Sequence, residues 1–365
     1  MNASPALTPT PIGPVTPVPV APKRVVEQQP VPLQWRVAQG AALAVLFLFA
    51  AYWNTYAFHL AGRVRDPGDE FGFFILAGII WLTTPVAATI AVSTLQEALR
   101  RRWVVGFLSF SVVVLVSCTG FTHIQMGEEI RVLQDFGTGF IVGMTNLIAV
   151  FLGVALIPPE VDRRIIFTIL SKPVNRVEFL IGKFLGLCLT LLFCMVLLGA
   201  FFMLTVSWFN IHMDGWTGAW HPAVSVDHPA LGFTLSNLLN ALILQYGQLV
   251  VLSAMALVLS LFVTQITAIT FCFLAYFGGQ MSSYWGQMGA NDPNSKAPGM
   301  TGVMQSVVKV VYYILPRLDH FDCRQMLVTD SPVTVAIVWK AWSAGLVYVA
   351  VILAIGVLVF SDREF

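Results

Sequence analysis

Residues 158–186 read PPEVDRRIIFTILSKPVNRVEFLIGKFLG, a dense and patterned run of charge between two long apolar segments. Pro158 and Pro159 close the preceding apolar run, and proline suits the first turn of a helix, where its missing N–H is not needed. From Glu160 onward Val161, Ile165, Ile166, Ile169 and Leu170 recur at helical spacing, with Asp162 and Arg163 on the other side. The spacing predicts a short amphipathic helix that ends at Lys172-Pro173. Asn175 stands three residues before Glu178, the arrangement of a capping box that launches the next long helix. Two readings fit this stretch. It is a surface helix that receives force from a cytosolic partner, or an ordinary cytoplasmic loop kept inside by its Arg and Lys.

The class follows from composition. The chain is 57% hydrophobic and 11% charged, with a mean hydropathy of +0.78. Soluble globular proteins carry about 25% charged residues, so the solvent for most of this chain must be lipid. Residues 1–35 differ: nearly half of the 20 prolines lie there with few large apolar side chains, which predicts a disordered, Pro-rich cytoplasmic tail. Eight apolar segments follow, at about 38–60, 72–95, 103–120, 137–157, 179–206, 236–260, 263–285 and 340–360. The expected fold is therefore an all-α integral membrane protein with about eight transmembrane helices. Arg100, Arg101 and Arg102 precede the third segment, and Arg163, Arg164, Lys172, Arg176 and Lys183 follow the fourth. Two crossings separate these clusters, so both face the cytoplasm, and eight crossings put both termini there as well.

Between the spans, Thr94–Trp103 (TLQEALRRRW) predicts an interfacial helix in which Glu97 pairs with Arg100 and Arg101, with Leu95, Leu99 and Trp103 as its apolar stripe. Residues 286–339 form a long exterior segment. In it Val303–Leu315 is apolar but too short to span, which predicts a re-entrant or interfacial helix, and Arg317–Arg324 reads as a solvated exterior cap. Gly139/Gly143 and Gly182/Gly186 have the spacing of small-residue helix contacts. Gln245 and Gln248 share one face of the sixth span and are the candidate pathway-lining residues.

Catalytic chemistry is not expected of this chain. Gly182-Lys183 lacks the first glycine of a P-loop and is followed by Phe184. No span carries a central carboxylate of the kind ion-coupled carriers use, and Lys183 lies one turn from a span's edge, where it can snorkel. His212, Met213, His221 and His228 share one exterior loop at irregular spacing, a weak pattern for a soft metal such as copper. Four cysteines lie inside apolar runs and Cys323 stands alone, so no disulfide framework is implied.

Four pieces of the chain resemble the permease subunits of type-2 ABC transporters, in particular the branch associated with multi-copper enzyme maturation. They are Thr94–Trp103, Asp135–Gly153 leading into Glu160–Gly186, Leu315–Leu327 (LPRLDHFDCRQML) and the closing Arg363-Glu-Phe365. The Ser-Lys-Pro-Val run at 171–174 is the most specific. Together they span about residues 90–365. The resemblance implies a six-helix core over 96–365, preceded by two additional helices over 36–95 that the family pattern lacks. It implies a cytosolic ABC ATPase as partner, which holds the ATP and magnesium, and a second permease copy or homologue. Glu160, Asp162, Arg163, Arg164, Phe167, Lys172 and Arg176 would belong to the ATPase-coupling segment, and Glu97, Arg100, Arg101 and Arg102 to the connecting helix. The expected location is the bacterial cytoplasmic membrane, the expected direction is export, and nucleic acid is not an expected partner. A membrane scaffold or mechanotransmitting subunit is the alternative. A stand-alone secondary carrier fits less well.

Overall fold

Backbone amides surrounded by hydrocarbon must be satisfied within the chain, and helices do this locally. Among the described residues all regular structure is helical. The computed structural model describes residues 32–61, 67–121, 129–156, 176–218, 231–282, 315–329 and 331–362. Its long helices are α1 (Leu33–Ala61), α2 (Pro67–Leu82), α3 (Pro85–Arg100), α4 (Arg102–Phe121) and α5 (Glu129–Val154). They continue with α6 (Arg176–Gly218), α7 (Leu231–Phe262) and α8 (Gln265–Gln280). A 3₁₀ turn at Asp319–Phe321 and the short α9 (Arg324–Val328) then lead to α10 (Val335–Asp362).

Among the described residues five helices are long and apolar enough to cross a membrane, and α2 with α3 make a sixth if that pair, bent by 93°, counts as one span. Phe47, Phe74, Phe110, Ile266 and Leu274 are exposed on α1, α2, α4 and α8. Large apolar side chains spread over so many faces fit acyl chains rather than water. This architecture is compatible with a multi-pass membrane protein.

The segment expected as one span at 72–95 is divided. Pro85 disfavours a helical conformation at Thr84, which is extended, and the Thr84 Oγ1 instead accepts a hydrogen bond from the Ala87 N–H at 3.2 Å. The break leaves carbonyls at the end of α2 without helical partners. α1 supplies them: Trp35 Nε1 donates to the Thr83 carbonyl at 2.8 Å, and Gln39 Nε2 donates to Thr83 at 2.5 Å and Ile80 at 3.2 Å. Farther along, Phe49 and Phe73 pack on Trp339, so the α1–α2 pair leans on α10.

Beyond the break α3 packs along the start of α6. Its buried face is Ala87, Ala91, Thr94 and Ala98 rather than the expected Leu95, Leu99 and Trp103 stripe. Small residues win because α6 presents Gly182 and Gly186 there. A Cβ on Gly186 would lie 2.6 Å from the Thr94 Cβ and 2.7 Å from the Ala91 carbonyl oxygen. The other glycine pair behaves differently: Gly139 lies under the Arg324 guanidinium and Gly143 has open space around it.

α6 runs on to Gly218, past the 179–206 expected for its span, and its 43 residues extend about 65 Å. α5, α6 and α7 form the centre, with Ile148, Leu152, Leu187, Leu191, Leu244 and Leu249 fully or almost fully buried. Replacing Gly186 by Leu forces α3 off α6 and should lower stability by about 1–3 kcal/mol. Gly143→Ala, which fills open space and stiffens a helix, should be neutral or stabilise by about 0.5–1 kcal/mol. Thermal unfolding of the full chain in mild detergent distinguishes the two; equal destabilisation would refute the seam.

Candidate functional site

The short break between α3 and α4 gathers charge. α3 ends when Arg101 turns to an extended conformation, and its N–H closes on the Ala98 carbonyl at 3.1 Å. Arg101 Nη2 then donates back to Glu97 Oε1 at 2.8 Å, the i,i+4 pair expected from the sequence, and reaches the Ala155 carbonyl at 3.4 Å. The other Glu97 oxygen, Oε2, lies 3.9 Å from Lys183 Nζ. Lys183 is buried in the second turn of α6, with its Nζ 5.8 Å from the centre of the Phe179 ring. It does not snorkel into solvent as its position near a span's edge implied.

The geometry carries a mechanical consequence. Ala155 follows the last residue of α5, and Lys183 stands shortly after the first residue of α6. Glu97 therefore links, through Arg101 and Lys183, the two flanks of residues 157–175 to the α3–α4 break. The Glu97 side chain is 46% exposed, so its ion pairs are screened and each contributes on the order of 1 kcal/mol. Their effect is mainly positional: the carboxylate joins α3 to α6, and Arg101 extends the link to the end of α5.

Of the other residues singled out in the sequence, Arg100 and Arg102 are exposed on either side of the break. Glu160, Asp162, Arg163, Arg164, Phe167 and Lys172 lie outside the described residues, and Arg176 is described only as the first residue of α6. Gln245 and Gln248 are buried in α7. Asn146, on α5 and equally buried, was passed over. Its signal was available, because an amide in the middle of an apolar helix is costly unless it is partnered.

At the opposite end of α5, Arg324 meets Asp135 at 3.3 Å, a half-exposed pair. Nearby, Asn237 Oδ1 accepts from the Val333 N–H at 3.2 Å and Asn240 Nδ2 donates to the Val333 carbonyl at 2.8 Å. The polar stretch before Arg324 is solvated in part, with His320 and Asp322 exposed. Leu318 and Phe321 are buried, and Phe321 sits against Gly247 of α7 and Gly345 of α10. Gly247 is about 10 Å along α7 from Asn240, so this stretch descends between the helices. A cavity of about 120 Å³ lies beside it, lined by Val251, Arg317, His320 and Tyr348 among others. Burial, and next the Asp322 charge, push the Cys323 thiol up to about 12. Among the described residues no three His, Cys, Asp or Glu side chains converge as a metal site would require. His221 and His228 are outside the described residues, as are the side chains of His212 and Met213.

The chain matches no protein-family model, and comparison with curated proteins finds no relative.

Replacing Lys183 by Met removes a desolvated charge and keeps the packing, so it should leave stability near wild type. Glu97→Ala withdraws the carboxylate from both cations and should cost about 1–2 kcal/mol. Paired thermal melts check this, and a Glu97→Ala chain as stable as wild type would contradict the shared-carboxylate geometry. The Cys323 thiol should resist maleimide at pH 8, where a reactive thiolate would label within minutes; rapid labelling of Cys323 in the folded chain would oppose that account.

Proposed function

We propose that the chain is the membrane permease subunit of an ATP-driven ABC transporter, an exporter in the bacterial cytoplasmic membrane. A separate ATPase subunit holds the ATP and magnesium and docks on residues 158–178, and a second permease copy completes the pore. The observation that carries this reading is the Glu97 link. A displacement of segment 157–175 is handed to α5 and α6 together, and through Arg101 to the α3–α4 break. The four sequence pieces that resemble type-2 ABC permeases support it independently.

In this proposal α1, α2, α4, α5, α6, α7, α8 and α10 are the eight crossings, and α3 is the connecting helix. α2 and α8, with 16 residues each, are about 24 Å long. Such short spans cost fractions of a kcal/mol per Å of thinning in the bilayer. Both termini are then cytoplasmic. The two helices ahead of the core acquire a role as well, because α1 caps the break from which α3 starts.

A mechanotransmitting subunit is the second reading, and the length of α6 favours it. A helix of about 65 Å exceeds the roughly 30 Å hydrocarbon core about twofold, and it carries motion at Lys183 rigidly to the far side. ATP-dependent motion of the Trp208 end with no solute flux would select this reading over the exporter.

Replacing Glu160, Arg163 and Arg164 together by Ala should uncouple ATP hydrolysis from transport by tenfold or more while the protein still folds. ATPase rate and flux, measured on the reconstituted complex, report on this. Coupling at the wild-type level would remove residues 160–164 from the docking surface.

A further inference from the structure

Three carboxamides lie in the centre of the bundle with unpaired atoms. Asn146 of α5 is 2% exposed, and Gln245 and Gln248 of α7 are 5% and 1% exposed. Neither the nitrogen nor the oxygen of Asn146 has a hydrogen-bond partner, neither has that of Gln248, and the Gln245 nitrogen also has none. The three belong to one level. Gly153 meets Ala256 across the α5–α7 contact, while Asp135 and Asn240 both neighbour the 315–334 stretch, so the two helices run parallel. Seven residues before Gly153 is Asn146, and seven before Ala256 is Leu249, next to Gln248. Gln245 follows on the same face of α7, one turn away.

α6 runs antiparallel beside them. Gly137 meets Phe202 and Gly153 meets Leu187, which sets Cys194 at the level of Asn146. The hydroxyls around this level have their protons committed to main-chain carbonyls. Thr145 donates to Ile141, Thr190 to Gly186, Ser253 to Val250, and Tyr246 to Cys188. A buried amide left wholly unpaired is rare, and an ordered solvent molecule is the usual explanation.

We propose that Asn146, Gln245 and Gln248 form an internal hydration site in the middle of the bundle, between α5, α6 and α7. The chemistry selects the occupant. A cation would satisfy the amide oxygens and leave the N–H groups unpaired, and an anion would do the reverse. A small neutral molecule that both donates and accepts pairs with both ends of each amide, and water is the smallest of these. Two or three waters bridging the level would pair all five atoms. This proposal stands apart from the transporter reading, since it depends only on the packing of the three helices.

Cys194 and Cys272 make an internal comparison. Both are 0% exposed and both belong to apolar clusters, Cys194 to the main core and Cys272 to a smaller group with Val150, Val154, Leu252, Ala256 and Ala268. They differ in that Cys194 stands at the amide level. Hydroxyl radicals generated from water by a brief X-ray pulse oxidise side chains where water is bound. On the full chain in lipid nanodiscs, Cys194 should oxidise at least severalfold faster than Cys272. The double replacement Asn146→Leu and Gln248→Met should bring Cys194 down to the Cys272 rate and leave Cys272 unchanged. If the double variant does not fold, Gln248→Met alone should lower the Cys194 rate in the same direction. Equal rates in the unaltered chain would overturn the site and mean that the amides pair with each other. A Cys194 rate that stays high in the folded variant would also overturn it.

Discussion

The close approach of α3 to α6 is the constraint on which the rest of the arrangement depends. Gly182 and Gly186 offer no side chains, and Ala87, Ala91 and Thr94 offer small ones, so the two backbones come within van der Waals reach. In an apolar solvent helices gain little from hiding hydrocarbon, and close packing of this kind supplies the association. Because α3 is fixed there, Glu97 near its end is delivered to Lys183 of α6. Arg101, four residues later, is delivered to the end of α5. A bulkier residue in the seam would undo the charge link from a distance.

The break at Thr83-Thr84 serves the same end. A continuous helix over 67–100 would not lay α3 along α6 in this way. Pro85 enforces the turn, Thr84 caps the new helix, and Trp35 and Gln39 of α1 satisfy the carbonyls that the turn exposes. The first two helices thus support the geometry of the next pair. The Thr83 carbonyl accepts from both, so removing the two donors together would leave a polar backbone group facing an apolar surround, which is costly.

Much of this was legible in the sequence where the signal is local. Gly182 and Gly186 have the spacing of a helix contact, and the Glu97–Arg101 pair follows from helical periodicity. The break at Pro85 was equally local but was masked, since the apolar run continues through it. Spacing also failed to say which glycines pair: Gly139 and Gly143 share the pattern, yet one meets Arg324 and the other meets nothing. The 315–321 stretch was out of reach for a different reason. Its charges read as exterior, and the space that admits Leu318 and Phe321 is made by Gly247, Gly279 and Gly345 on three helices distant in sequence. Asn146 was missed because a single amide in an apolar run hardly alters composition.

In the proposed function, segment 158–178 receives force from a nucleotide-hydrolysing partner. The most direct measurement is purification of the protein from its own membranes in mild detergent, followed by identification of what migrates with it. The account predicts a Walker-motif ATPase in stoichiometric amount. Its absence, even after crosslinking through Lys172, would contradict the permease assignment and leave that segment an ordinary loop.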